Sequence, residues 1–190
     1  MSQFIADSRT PITDRLFFAI FPDPEAAARI AQLADQLCAE NGVGGRPLPA
    51  GQLHVTLDFL GNYAGLPQDI IAMASAAAAT VAMPGFEVAF DRVASFPGKG
   101  RSQPLVLLGN DGVVALTALQ RTLRQALDAA GLPAASKSRY KPHVTVLYGK
   151  RGLAEQAVEP VGWTAREFAL VHSRIGLRQY ATLGRWSLEM

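Results

Sequence analysis

The sequence HVTLDFLG at positions 54–61 is matched by HVTVLYG at positions 143–149, so two of the three histidines lie in the same local sequence. A chance repeat of His-Val-Thr has a probability on the order of 10⁻⁵, so the match is not an accident of composition. In a β-strand, residues i and i+2 share a face. Each histidine therefore shares a face with the threonine two places on, while the apolar residues fill the core behind them. The repeat predicts two strands that each present a polar pair from a rigid sheet.

The segments that precede the two motifs also correspond. LFFAIF at 16–21 and PLVLL at 104–108 are short apolar runs typical of buried strands. A helix follows each run. The first begins at Asp23-Pro24-Glu25, a favourable capping sequence, and the second has four leucines on one face: Leu116, Leu119, Leu123 and Leu127. We expect an α+β fold with two pseudo-symmetric lobes of mostly antiparallel sheet, helices outside and an active-site cleft between them.

A chain of 190 residues forms one domain or two small lobes. We expect residues 1–13 to form a flexible N-terminal tail and residues 14–190 a single bilobal domain. Further strands are predicted at 53–60, 86–96, 141–148, 168–171 and 185–188, with another helix at 69–82. Cys38 is the single cysteine, which excludes an internal disulfide and a cysteine zinc site. The chain shows no signal peptide or membrane span, so we expect a cytoplasmic monomer without membrane contact.

Positive charge is concentrated in the second half of the chain. Between Arg92 and Arg151 lie ten basic and two acidic residues, a net charge of +8, whereas the rest of the chain carries −6. Such asymmetry favours an anionic ligand, although a solvated basic surface would give the same pattern. Four basic residues in predicted loops are the candidate substrate contacts: Lys99, Arg101, Lys150 and Arg151.

The repeated residues suit proton transfer at phosphorus. Imidazole titrates near ~6.5, so of two histidines in one cleft one can be neutral and the other charged. The neutral ring can take a proton from water and the charged ring can give one to the leaving oxygen. Threonine hydroxyls can hold phosphoryl oxygens. The candidate catalytic residues are His54, Thr56, His143 and Thr145, whereas His172 lacks the motif and is interpreted as an end-of-strand hydrogen-bonding residue.

The paired motifs resemble those of the two-histidine phosphoesterase superfamily, and within it the RNA 2′,3′-cyclic phosphodiesterases once called 2′–5′ RNA ligases. RLFFAI at 15–20 and KPHVTV at 141–146 add to the similarity. The resemblance implies a metal-free, cofactor-free enzyme that converts the 2′,3′-cyclic phosphate of RNA ends or oligonucleotides to a 2′-phosphate. Family members often have a basic residue five places after the second histidine. Tyr148 stands there in this chain, so we include it among the substrate-binding candidates.

We assign His54 as proton donor, because Asp58 and the acidic first half favour its charged form. His143 is assigned as proton acceptor, because Lys141, Lys150 and Arg151 favour its neutral form. Two alternatives stay open: a phosphodiesterase acting on a small cyclic nucleotide or an ADP-ribose cyclic phosphate, and a non-catalytic module that binds nucleotides or RNA. The sequence lacks the acidic cluster of a metal site, the Gly-x-Ser-x-Gly of a serine hydrolase and the phosphate loop of an ATP-driven ligase.

Overall fold

The computed structural model describes residues 11–98, 102–135, 139–177 and 179–188. Eight strands and three α-helices lie within this part of the chain. The strands are β1 Asp14–Ile20, β2 Val55–Tyr63, β3 Phe86–Ser95, β4 Gln103–Leu108, β5 His143–Gly149, β6 Gln156–Ala165, β7 Glu167–Arg174 and β8 Gln179–Ser187. The helices are α1 Pro24–Asn41, α2 Gln68–Ala78 and α3 Val114–Ala129.

The strands form one sheet in the order β6-β3-β4-β5-β2-β1-β7-β8, and every neighbouring pair is antiparallel. The predicted α+β fold with mostly antiparallel sheet is confirmed. The two predicted lobes are the halves of this sheet, and each half has four strands. They meet where β2 and β5 share one residue pair, Val55 with Val144. The two repeated motifs therefore lie at the centre of the sheet.

The helices form for the local reasons visible in the sequence. Asp23 caps α1, since its Oδ1 accepts a hydrogen bond of 2.8 Å from the backbone N–H of Ala26. Gly42 ends the helix in the left-handed conformation, with φ of 57°. The four leucines of α3 are fully buried and pack in the main core between helices and sheet. These packed helices support the sheet from the side opposite the histidines.

Among the strands of the described residues, β6 is the one that the sequence did not predict. It lies at the edge of the sheet and most of its residues are exposed between Gln156 and Pro160. Pro160 and Gly162 are residues that argue against a strand interior, and the edge position with a shifted register accommodates them. Edge placement therefore overrides an unfavourable local sequence.

Residues 1–10 of the predicted tail lie outside the described residues. Thr13, by contrast, is held by the sheet: its N–H donates to the carbonyl of Tyr63 at 3.0 Å, and its carbonyl accepts from Ile175 at 2.8 Å. The pairing of β1 with its neighbours thus extends back to Thr13. Across the described segments, no helix has the length and apolar character needed to cross a membrane.

Candidate functional site

The four candidate catalytic residues lie around the single residue pair that joins the two halves. With Val55 opposite Val144 in an antiparallel pair, the register places His54 beside Thr145 and Thr56 beside His143, all on one face. The intervening valines are buried in the core on the other face. The structure therefore brings two imidazoles and two hydroxyls from distant parts of the chain into one cluster.

Both histidines make the same backbone hydrogen bond. Nδ1 of His54 lies 2.7 Å from the carbonyl oxygen of Gln52, and Nδ1 of His143 lies 2.7 Å from that of Lys141. A carbonyl oxygen can only accept, so each Nδ1 carries a proton and donates it. Nε2 is then the nitrogen of each ring that can take up or release a proton. This shared tautomer orients both rings for acid–base chemistry.

Burial lowers the pKa of both histidines. For His54 the loss of hydration is the main cause; the bond to Gln52 opposes it, and His143 adds a repulsive contribution. For His143, burial is again the main cause and the charge of Lys141 adds to it, against the bond to the Lys141 carbonyl. Both rings therefore favour the neutral form in the free protein. An anionic phosphate between them would favour the charged form of one ring.

Asp58 is paired with Arg124, and its charge is not among the influences on the pKa of His54 that the sequence predicted. Leu57 and Asp58 are both buried, because the pairing of β2 with β1 shifts register at this point. The Asp58 carboxylate accepts a hydrogen bond of 2.8 Å from Arg124 on α3. Burial raises the pKa of Asp58, and Arg124 partly offsets that effect. Lys141 and Asp58 were both predicted to distinguish the two histidines by their charge. Lys141 does lower the pKa of His143, whereas Asp58 forms an ion pair with Arg124.

Aromatic side chains enclose each histidine. Around His54, the ring centroids of Phe17, Tyr180 and Phe21 lie at 5.1, 5.5 and 6.1 Å. Phe96 meets His143 edge to face at 5.0 Å. LFFAIF forms the predicted buried strand, in which Phe18 packs in the main core and Phe17 packs in a smaller buried cluster on the histidine face. The alternation within that run is the signal that would have found Phe17.

A cavity of about 320 Å³ opens directly beside Thr56 and His143. Its other lining residues are Leu57, Asp58, Phe59, Phe96, Gln120, Ala134, Ala135, Arg139, Tyr140 and Lys141. Gln120 and Arg139 were not among the predicted site residues. Arg139 lies four residues before His143 in a basic segment, so its position was a usable signal, whereas Gln120 reaches the cavity only through the packing of α3.

The predicted substrate contacts are dispersed. Lys99 and Arg101 lie outside the described residues. Tyr148 is on β5 and 54% exposed. Lys150 and Arg151 follow β5, are exposed, and donate their backbone N–H groups to the carbonyl of Val43. Neither of these two residues lines the cavity.

His172 has a structural role, as expected. Its Nε2 lies 2.6 Å from the Asp14 carboxylate, and both residues are buried. The Thr13 hydroxyl and the Gly65 N–H donate to the other oxygen of Asp14. Within the described ranges, no three His, Cys, Asp or Glu side chains are grouped so that they could hold a metal ion.

Comparison with known proteins identifies the family and the fold. Residues 21–177 match the sequence model of the 2′-5′ RNA ligase superfamily. Among solved structures, apo LigT of E. coli has a TM-score of 0.72 at 25% identity, covering 95% of this chain and 100% of LigT. LigT complexed with 3′-AMP gives 0.70 at 26%, covering 94% and 99%. TT0787 of Thermus thermophilus gives 0.68 at 25%, covering 92% and 97%. No curated protein matches the sequence.

Proposed function

Because the chain belongs to the 2′-5′ RNA ligase superfamily, we propose that it hydrolyses the 2′,3′-cyclic phosphate of an RNA end to a 2′-phosphate. Phosphodiester chemistry in general follows from the family. The finer assignment rests on one observation: two histidines with the same Nδ1–carbonyl bond flank one residue pair, each beside a threonine of the other motif. That arrangement provides an acid, a base and two hydroxyl donors for one phosphate.

The reaction needs only these groups and water. One neutral imidazole takes a proton from water through Nε2 as the water oxygen bonds to phosphorus. The bond from phosphorus to the 3′-oxygen breaks, and the other, charged imidazole protonates that oxygen. The product is a 2′-phosphomonoester with a free 3′-hydroxyl. Thr56 and Thr145 would donate hydrogen bonds to the phosphoryl oxygens as charge develops on them.

We assign His54 as the proton donor and His143 as the acceptor. The support is electrostatic: the Lys141 ammonium favours the neutral form of His143. A substrate with a much better leaving group at the 3′ position needs no acid. Such a substrate should rescue His54→Ala and not His143→Ala, and rescue of the second variant alone would reverse the assignment.

An RNA end is the preferred substrate because the description of the family names RNA. The rival substrate is a small cyclic nucleotide or an ADP-ribose cyclic phosphate. Turnover of a 2′,3′-cyclic mononucleotide should be compared with that of a short RNA bearing the same terminal nucleotide. A kcat/KM that is higher for the mononucleotide would favour the rival.

The deciding assay uses purified protein in EDTA with an RNA that ends in a 2′,3′-cyclic phosphate. We expect turnover in EDTA and a product with the phosphate on the 2′-oxygen. A 3′-phosphate product, or activity that requires an added divalent ion, would contradict the proposal. Binding without turnover would leave the non-catalytic module as the better interpretation.

A further inference from the structure

Three rows of side chains cross the His54 half of the sheet on the histidine face. Cross-strand pairing defines each row, because paired residues of neighbouring strands point to the same face. The first row contains the catalytic threonine of β2 and consists of Thr56, Ala19, Ala169 and Arg185. The second row is mostly apolar and consists of Phe59, Phe17, Val171 and Thr182. The third row is polar and consists of Asn62, Arg15, Ser173 and Tyr180.

The two longest side chains of the polar row lean over the apolar row towards the catalytic residues. The Arg15 guanidinium lies 5.9 Å from the ring centroid of Phe59. The Tyr180 ring centroid lies 5.7 Å from that of Phe17 and 5.5 Å from that of His54. A cation and a phenol therefore lie much closer to the catalytic row than their positions along the strands alone would place them.

The charge of Arg15 is available to a ligand. Its Nε donates a hydrogen bond of 3.0 Å to the side-chain oxygen of Asn62, and no carboxylate among the described residues forms an ion pair with it. The adjacent Asp14 points to the other face of the sheet, where it bonds His172. Burial raises the pKa of the Tyr180 hydroxyl, and the charge of Arg15 opposes this effect. The guanidinium thus gives a positive field to the space beside Tyr180.

The corresponding position in the other half of the sheet carries no charge. Pro104 precedes His143 by 39 residues, as Arg15 precedes His54. The basic residues beside His143 are Arg139 and Lys141, and they line a cavity of about 320 Å³, near the lower end of small-molecule sites. Such a volume limits the cavity to part of one nucleotide, whereas Arg15 lies on an open row of the sheet. A nucleic acid chain that continues into solvent is therefore expected on the side of Arg15.

We propose that Arg15 binds the phosphodiester that joins the terminal nucleotide to the rest of the RNA chain, with Asn62 orienting the guanidinium and Tyr180 bordering the site. Neighbouring rows are two residues apart along a strand, about 6.6–6.8 Å. The guanidinium lies over the second row, so its distance from the catalytic row is on the scale of one nucleotide step. Arginine suits this task because its planar fork matches the oxygens of a phosphate. The inference rests on the proposed function, because it takes the reacting phosphate to lie between the histidines.

The test compares the binding of three product-like ligands by calorimetry. They are a nucleoside 2′-phosphate, the same nucleoside as its 2′,5′-bisphosphate, and a dinucleotide that ends in this nucleoside 2′-phosphate and lacks a 5′-phosphate. We expect the wild type to bind the second and third ligands roughly tenfold more tightly than the first, the scale of one charge-assisted hydrogen bond. Arg15→Gln should reduce both affinity ratios to about one, and Arg15→Lys should keep part of each because it keeps the charge. The wild-type ratios should also fall as salt is raised, because the contact is exposed.

Arg174→Gln is the matched control. Arg174 is an exposed arginine of β7, one residue beyond the polar row, and its side chain points to the opposite face. It should keep the wild-type ratios. Equal wild-type affinities for the three ligands, or ratios that survive Arg15→Gln, would overturn the inference. A gain for the bisphosphate without one for the dinucleotide would also overturn it, since the site would then bind a free 5′-phosphate and not an RNA chain.

Binding and hydrolysis are measured separately, so the two proposals can fail separately. If the affinity ratios depend on Arg15 but no cyclic phosphate is hydrolysed, only the proposed function is refuted. If hydrolysis occurs but the ratios are absent, only the role of Arg15 is refuted.

Discussion

Replacing each catalytic histidine by glutamine tests the central claim most directly. Glutamine places a neutral amide at the position of Nε2 but cannot exchange a proton near neutral pH. Loss of one general acid or base costs about 10²–10⁴ in rate, or roughly 3–5 kcal/mol of barrier. We expect kcat to fall by at least ~10²-fold in both His54→Gln and His143→Gln. The double variant should lose little more, because the two rings act as a unit.

The structure also predicts different costs in stability for the two replacements. His54 packs against three aromatic rings, whereas one, that of Phe96, contacts His143 among the described residues. At about 0.5–1.5 kcal/mol for an aromatic pair, the two additional pairs mean that His54→Gln should lower the free energy of unfolding by about 1–3 kcal/mol more than His143→Gln. Thermal unfolding measured beside the kinetics separates this effect from the loss of chemistry.

His172→Gln is the matched control for the kinetic measurement. It removes the third histidine and its bond to Asp14, so it should lower the Tm and leave kcat close to wild type. The assay is hydrolysis of an RNA 2′,3′-cyclic phosphate in EDTA, below the unfolding temperature of each variant. A folded His54→Gln or His143→Gln that kept a tenth of the wild-type kcat would refute the two-histidine mechanism. A loss in His172→Gln as large as theirs would do the same.

Four further results are expected. Thr56→Val and Thr145→Val should each cost about 1–3 kcal/mol of transition-state stabilisation, read from kcat/KM; no change in either would remove the threonines from the site. Arg124→Met leaves the buried Asp58 carboxylate without its partner and should lower the free energy of unfolding in urea by about 3 kcal/mol, and an unchanged value would mean that the pair is unimportant. Burial lowers the pKa of both histidines, so the acid of the free enzyme loses its proton at a lower pH than an ordinary imidazole: the alkaline limb of kcat/KM should lie below the usual histidine range, while the alkaline limb of kcat lies higher because bound phosphate favours imidazolium. RNA binding should weaken with salt more steeply than mononucleotide binding, by about 0.7 in log–log slope for each extra phosphate contact, and equal slopes would place the basic surface elsewhere.

Local sequence was sufficient for the elements that local chemistry determines. The start and the end of α1 could be predicted from Asp23 and Gly42, because a helix cap and a left-handed glycine act within one turn. The two His-Val-Thr motifs could be placed on strands because alternation needs only neighbouring residues. Where a neighbouring strand changes the register, that logic fails. The shift between β1 and β2 turns Asp58 towards α3, which no count along the chain could foresee.

The cavity depends on packing between parts of the chain that are far apart in sequence. Gln120 on α3, Phe59 on β2 and Arg139 before β5 line the same cavity only after the sheet has assembled. The basic composition between Arg92 and Arg151 favoured an anionic ligand. It did not indicate which of these basic side chains form ion pairs within the protein and which are available to a ligand. The Arg92 guanidinium is bound by Glu155 at 2.5 Å, and Arg124 is bound by Asp58, so part of the charge stabilises the fold instead.

The two histidines have the same motif and the same hydrogen bond, so the distinction between acid and base must come from their neighbours. The residue whose carbonyl accepts the Nδ1 proton is Gln52 in one half and Lys141 in the other. These positions correspond under the repeat, yet only the second carries a charge. The Lys141 ammonium lowers the pKa of His143. The charge that lowers the pKa of His54 is that of His143, and no lysine has this effect on His54. The Lys141 ammonium is the difference between equivalent positions on which we propose His143 as the base, which leaves His54 as the acid that protonates the 3′-oxygen.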